Sequence, residues 1–130
     1  NVDIIKPNET EIQILTGNTV NTDEELYIAA KKLLEKGIKN VIITLGGSGS
    51  MLVTKNGYKK FAALDVKVVD TTAAGDSFTG ALTKALIDKK EIEQAIEFAH
   101  IVSSIVCTKK GAQTSIPNME EVEDFMKKNS

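Results

Sequence analysis

The stretch VVDTTAAGDSFTGAL, residues 68–82, decides the reading of this chain. An apolar run, Val68-Val69, meets Asp70, two threonines, two alanines, Gly75 and Asp76, and from there the pattern turns helical. A turn needs one glycine, so this concentration of small side chains implies that something approaches the backbone closely. A helix that opens after such a turn presents unpaired N–H groups and the positive end of its dipole, which favours an anion. Ala73, Ala74 and Gly75 keep side chains out of the way, so an anion can sit against their amides with Asp76 beside it. A carboxylate placed there can orient a hydroxyl and take its proton, while the amides stabilise charge on a transferring phosphoryl group. The plainer alternative makes Asp76 the helix N-cap, with small neighbours that permit close packing.

Upstream of this junction, Val66 to Val69 read as a short extended piece. Before it, MLVTK, Asn56-Gly57 and YKKFAAL carry the signal of an antiparallel hairpin. VIITL, residues 41–45, is a continuous apolar run suited to a buried parallel strand, and GGSGS follows it. Asn1 to Lys6 read as a short buried strand closed by Pro7. Asn8 and Glu11 then have capping-box spacing, with Ile12 and Leu15 as an apolar face and Gly17 as the stop. Thr22 and Glu25 repeat the pattern ahead of a helix in which Leu26, Ala29, Ala30, Leu33 and Leu34 share a stripe, ended by Gly37. Downstream, FTGALTKALID and IEQAIEFAHIVSSIVC read as helices, the second apolar nearly all round and therefore largely buried. The loop KKGAQTSIP leads to a closing amphipathic helix, NMEEVEDFMKK, with Asn118 as its cap. Parallel strands alternating with helices, plus one hairpin, predict a layered α/β fold.

Bulk properties narrow the function. The 130 residues are 42% hydrophobic, enough to supply a core for one domain. Sixteen basic against 18 acidic residues give a net charge of −2, which argues against an electrostatic nucleic-acid binder. Cys107 is the only cysteine, so an internal disulfide and a thiolate metal site are excluded, and its apolar setting reads as a core thiol. No apolar run approaches the roughly 18 residues of a membrane span, and no signal-peptide pattern opens the sequence; a cytoplasmic protein is the expectation. His100, the only histidine, sits on an apolar helix and reads as a packed core residue. GGSG is not a Walker motif, because no G-K-S/T follows, and no G-x-G-x-x-G fingerprint occurs. The chain opens on Asn1 in what reads as a strand already in progress, so it is expected to be part of something longer.

The junction closely resembles the second signature of the ribokinase-like (PfkB) carbohydrate kinases, D-T-x-A/G-A/G-G-D. Three more segments resemble that family in the same order. KPNETEIQILTG is similar to its PNExE segment, VIITLGGSGSMLV to its TLGxxG nucleotide loop, and FAHIVSSIVCTKKGAQTSIP to the helix and loop that close the ATP site. AAGD and KGAQTSIP are similar to the ribokinase branch in particular. The resemblance implies an incomplete, layered, Rossmann-like ribokinase fold: the C-terminal half of the sheet, its flanking helices and one β-hairpin. Residues 1–130 would form a single ATP-binding and catalytic C-terminal portion, without the N-terminal sugar-binding and lid portion. It implies, for the complete enzyme, transfer of the γ-phosphate of ATP to the 5-hydroxyl of D-ribose, giving ribose 5-phosphate, with this chain alone inactive. A fructokinase, a nucleoside kinase or a non-catalytic nucleotide-binding module are the alternatives.

Position by position, the resemblance implies Asp76 as the base and the amides of Ala73, Ala74 and Gly75 as the anion hole. Asn8 and Glu11 would lie near the ATP phosphates, with Glu11 reaching magnesium indirectly. Thr44, Gly46 and Gly49 would line the nucleotide, and His100 would pack beside the adenine. A potassium ion would be held by Asp70, Thr72, the backbone of Val106, Lys109 and Gly111, and the Ser115 side chain. Asp70 reads equally as a strand-end turn residue; the spacing of Asn8 and Glu11 by itself favours a plain capping box, and both roles can hold in part if one carboxylate oxygen caps while the other reaches a hydrated metal. The full-length protein would be a homodimer. Since the family often dimerises through the lid, any dimer of this chain would use another surface.

Overall fold

A computed structural model of the chain describes residues 3–64 and 74–108. The chain divides into two compact units, Asn1–Ala62 and Ala63–Ser130. The expected extended piece at Val66–Val69, the KKGAQTSIP loop and the helix after Asn118 lie outside the described residues.

The first unit is built on a four-stranded sheet in the order β1-β2-β3-β4. Strand β1 (Ile4–Ile5) runs parallel to β2 (Asn40–Thr44), with Ile5 opposite Val41. Strands β3 (Ser50–Thr54) and β4 (Gly57–Phe61) follow antiparallel, with Val41 opposite Val53 and Ile43 opposite Met51. The unbroken apolar run of β2 has a direct cause: Val41, Ile42 and Ile43 are all fully buried, so both faces of the strand are covered. Helices α1 (Glu9–Thr16) and α2 (Asp23–Glu35) supply the other side of one core. Ile12, Val20, Leu26, Ala29, Ala30 and Leu33 pack there with Val41, Ile43, Met51 and Val53.

Two local expectations need correcting. Leu15 does not join the apolar face of α1; it is 48% exposed, and Ile12 is the buried residue of that helix. Three residues along, a helical side chain is turned about 60° from its predecessor, and a helix of two turns meets its neighbours along a narrow strip. The hairpin turn is also shifted. Thr54 pairs with Gly57, so Lys55 and Asn56 are the turn residues, and Gly57 opens β4 with φ 125°. Lys55 and Asn56 keep negative φ, which rules out the type I′ turn that Asn-Gly most often signals; the glycine takes the positive φ one position later. On β4, Tyr58, Lys59 and Lys60 are exposed, and the Lys60 ammonium reaches Asp23 of α2 at 3.0 Å.

The described part of the second unit is a helical hairpin. Helix α3 (Ala74–Ile87) buries Phe78, Ala81, Leu82 and Ala85, spaced as one stripe. It packs on α4 (Ile92–Cys107), joined by a short turn in which Lys89 carries φ 65°. Along α4 only Glu93, Gln94 and Glu97 are exposed, as its nearly all-round apolar pattern requires. Cys107, at its last position, is partly buried. Among the described residues no helix is long and apolar enough to cross a membrane.

Candidate functional site

In the first unit the sheet brings distant residues together at the C-terminal end of β2. Asn8 forms a parallel bridge with Thr44, and the Thr44 amide donates to the Pro7 carbonyl at 3.0 Å. Parallel neighbours end at the same edge of the sheet, where ligands of α/β folds bind. Asn8 is the N-cap of α1: its Oδ1 accepts from the Glu11 amide at 2.7 Å, and Glu11 Oε1 accepts from the Asn8 amide at 2.9 Å. The capping box is thus real, and it uses one oxygen of each side chain. Asn8 Nδ2 and Glu11 Oε2 remain for another partner, and both residues are exposed. Replacing Asn8 with Ala removes the Oδ1 acceptor of the Glu11 amide and leaves only the backbone half of the pair. Urea denaturation is expected to show a loss of about 1 kcal/mol, and an unchanged midpoint would refute the cap.

Thr44 leads into a single 3-10 turn, Gly46–Ser48, closed by a bond from the Leu45 amide to the Gly49 carbonyl at 2.9 Å. Gly46 is exposed with φ 59°, whereas Gly49 is buried with φ 108°. Asn8, Glu11, Thr44 and Gly46, expected near the phosphates, the magnesium or the nucleotide, therefore lie at one edge, whereas Gly49, also expected to line the nucleotide, is buried.

In the second unit Asp76 is the third residue of α3 and exposed. It stands inside the first turn, so the alternative that made it the N-cap does not hold. Ala74, Gly75 and Asp76 open α3, the place where a helix leaves backbone amides without intrahelical partners. The Gly75 carbonyl accepts from the Thr79 hydroxyl at 3.1 Å. Ala73, Asp70, Thr72, Lys109, Gly111 and Ser115 lie outside the described residues. Val106 is buried in the last turn of α4, where the Thr108 amide donates to the carbonyls of Ile105 and Val106. Among the described residues no group of three or more His, Cys, Asp or Glu side chains gathers as a metal site.

His100 is 8% exposed and sits edge-on to Phe78, ring centroids 4.8 Å apart. The reading as a packed residue holds, but its aromatic partner carried no signal in the sequence. Burial lowers its pKa from 6.5 to about 4, because the cation loses its hydration. Unfolded, the imidazole protonates near pH 6.5; folded, it stays neutral down to about 4. As pH falls through that window the unfolded state binds the extra proton, so stability drops, by roughly 3 kcal/mol across the whole interval. Denaturation midpoints at pH 7 and pH 4.5, compared with those of His100→Phe, measure this directly. A pH response equal in both proteins would contradict it.

Residues 1–119 match the pfkB family carbohydrate kinases. The chain is 42% identical over 125 residues to the ribokinase of Haemophilus influenzae, covering 96% of this chain and 41% of that protein. It superposes on the ribokinase of Thermotoga maritima with a TM-score of 0.83 and 47% identity, over 96% of this chain and 42% of the other. On the ribokinase of Arabidopsis thaliana complexed with ribose and ATP the TM-score is 0.87 at 36% identity, covering 96% and 41%. The chain spans about two fifths of the length of the relatives it matches. The layered α/β expectation and the resemblance first read at residues 68–82 are both borne out, and this chain belongs to the pfkB family of carbohydrate kinases.

Proposed function

We propose that residues 1–130 are the ATP-binding and catalytic portion of a sugar kinase that moves the γ-phosphate of ATP to the 5-hydroxyl of D-ribose, giving ribose 5-phosphate. The observation that carries this reading is the place of Asp76: exposed and in the first turn of α3, the end of a helix whose amides favour an anion. Family membership and the likeness to a ribokinase complexed with ribose and ATP supply the substrates. Asp76 takes the proton of the attacking hydroxyl, while the amides of Ala73, Ala74 and Gly75 hold the charge on the transferring phosphoryl group. Asn8 stands near the phosphates, Thr44 and Gly46 line the nucleotide at the edge of β2, and His100 packs as a neutral ring beside the adenine.

Magnesium prefers one or two carboxylates, phosphates and retained waters, and Glu11, with one oxygen left over by the capping box, fits that indirect role. Bound magnesium neutralises phosphate charge. A potassium ion needs oxygen donors, and the carbonyl of Val106 in the last turn of α4 is of that kind. Asp70, Thr72, Lys109, Gly111 and Ser115 complete its proposed set.

Chemistry of this kind depends on holding the acceptor in line, and the sugar contacts belong to the portion of the enzyme outside this chain. ADP release with ATP, magnesium and potassium, with and without ribose, tests the assignment. The complete enzyme is expected to release ADP only with ribose, and the 130-residue chain to release almost none. Ribose-dependent turnover by the chain alone would overturn its reading as one portion of a site. Turnover of the complete enzyme with fructose or a nucleoside, and not ribose, would replace the substrate.

A further inference from the structure

Two glycines of the β2–β3 loop look alike in sequence and differ in surroundings. A Cβ built on Gly46 meets nothing within 4 Å. A Cβ built on Gly49 would stand 1.9 Å from the Phe61 carbonyl oxygen, 2.9 Å from its carbonyl carbon and 3.0 Å from Ala62 Cα. All three are backbone atoms, so no side chain can swing aside. The conformation at Gly49, φ 108° with ψ −135°, is the mirror image of extended backbone, open to glycine and closed to L-residues. Gly49 is also the hinge pin of its loop. Its carbonyl accepts from Leu45 N–H at 2.9 Å, its own amide donates to Gly46 at 3.3 Å, and the next residue, Ser50, pairs with Phe61.

We infer that Gly49 is a positioning residue seated on the end of β4, and that this seat fixes where Leu45 and the Gly46–Ser48 turn stand against the nucleotide. Gly46 faces the ligand; Gly49 faces Phe61 and Ala62. The inference rests on the nucleotide role proposed for this loop, and extends it by making the carbonyl of Phe61 part of what shapes the site. It also changes the expected role of Gly49 from lining to support.

The test compares Gly49→Ala with Gly49→D-Ala, the latter made by semisynthesis, in the complete enzyme. An L-side chain is directed at Phe61 and strains the backbone. A D-side chain suits this φ and ψ and points to the opposite side. For Gly49→Ala the KM for ATP is expected to rise about tenfold or more, since small displacements of positioning groups are costly. The KM for sugar should stay near wild type, because fewer folded molecules alone would lower apparent kcat and leave both KM values in place. The D-alanine enzyme is expected to bring the ATP KM back close to wild type. Hydrogen exchange at the Leu45 amide reads the seat without any nucleotide: faster in Gly49→Ala, protected in the D-alanine protein. If the exchange pattern holds while wild type shows no ATP dependence, the proposed function fails and the seat stands. Wild-type values for Gly49→Ala, or D-alanine as damaging as L-alanine, would overturn the inference.

Discussion

Asp76→Asn is expected to lower kcat of the complete enzyme by about 10²–10⁴-fold, the range that a positioned general base contributes. The substitution keeps size and shape, and Asp76 is exposed in the first turn of α3, so the fold has little reason to respond. A carboxylate near a helix N-terminus contributes roughly 0.3–1 kcal/mol through the dipole, which bounds the stability loss. KM values for ATP and ribose should stay near wild type, because an amide fills the same space and loses only its capacity to accept the proton. Steady-state ADP release paired with a thermal melt separates the two readings. A melt lowered without loss of kcat would mean that Asp76 serves the helix alone.

What could be read from the chain beforehand follows from how local each feature is. The Asn8–Glu11 pair was legible because both partners lie within one helical turn, and so was the Thr22 cap, whose hydroxyl accepts from the Glu25 amide. The apolar run of β2 announced burial on both faces, and the stripe of α2 held at Leu26, Ala29, Ala30 and Leu33. Leu15 failed because a two-turn helix offers too narrow a buried strip for a pattern to locate. The helix after the small-residue junction begins at Ala74, ahead of Asp76, because alanine and glycine fit a first turn without announcing it. Bringing Asn8 to Thr44 needed the parallel β1–β2 register, and bringing Phe61 to Gly49 needed the β3–β4 register. Register depends on partners far along the chain, so a glycine set against the backbone of Phe61 and one with open space around it read identically in GGSG. The role of base proposed for Asp76 came from a motif, since Gly-Asp at a helix start does not distinguish a base from a cap.

The largest stability effect is expected at Ile43. It is fully buried, opposite Met51, and packed in the same cluster as Ile12, Leu26 and Leu33. Truncation to alanine removes methylene burial and leaves a cavity between sheet and helices, at a cost of about 2–5 kcal/mol. A small domain has only about 5–15 kcal/mol of net stability, so much of the folded population is at stake. Ile14 is the matched control: the same residue type, 78% exposed on α1, where alanine should change stability by no more than about 0.5 kcal/mol. Urea midpoints of the two variants would contradict this partition if they shifted alike. Ile43 also precedes Thr44, whose amide is bonded to Pro7 beside the Asn8 cap. Loosening β2 at Ile43 therefore loosens the edge where Asn8, Thr44 and Gly46 meet. Ile43→Val, which costs only about 0.5–1.5 kcal/mol, should leave hydrogen exchange at the Thr44 amide close to wild type, and Ile43→Ala should accelerate it, because the bond to Pro7 lasts only as long as the strand beneath it is packed.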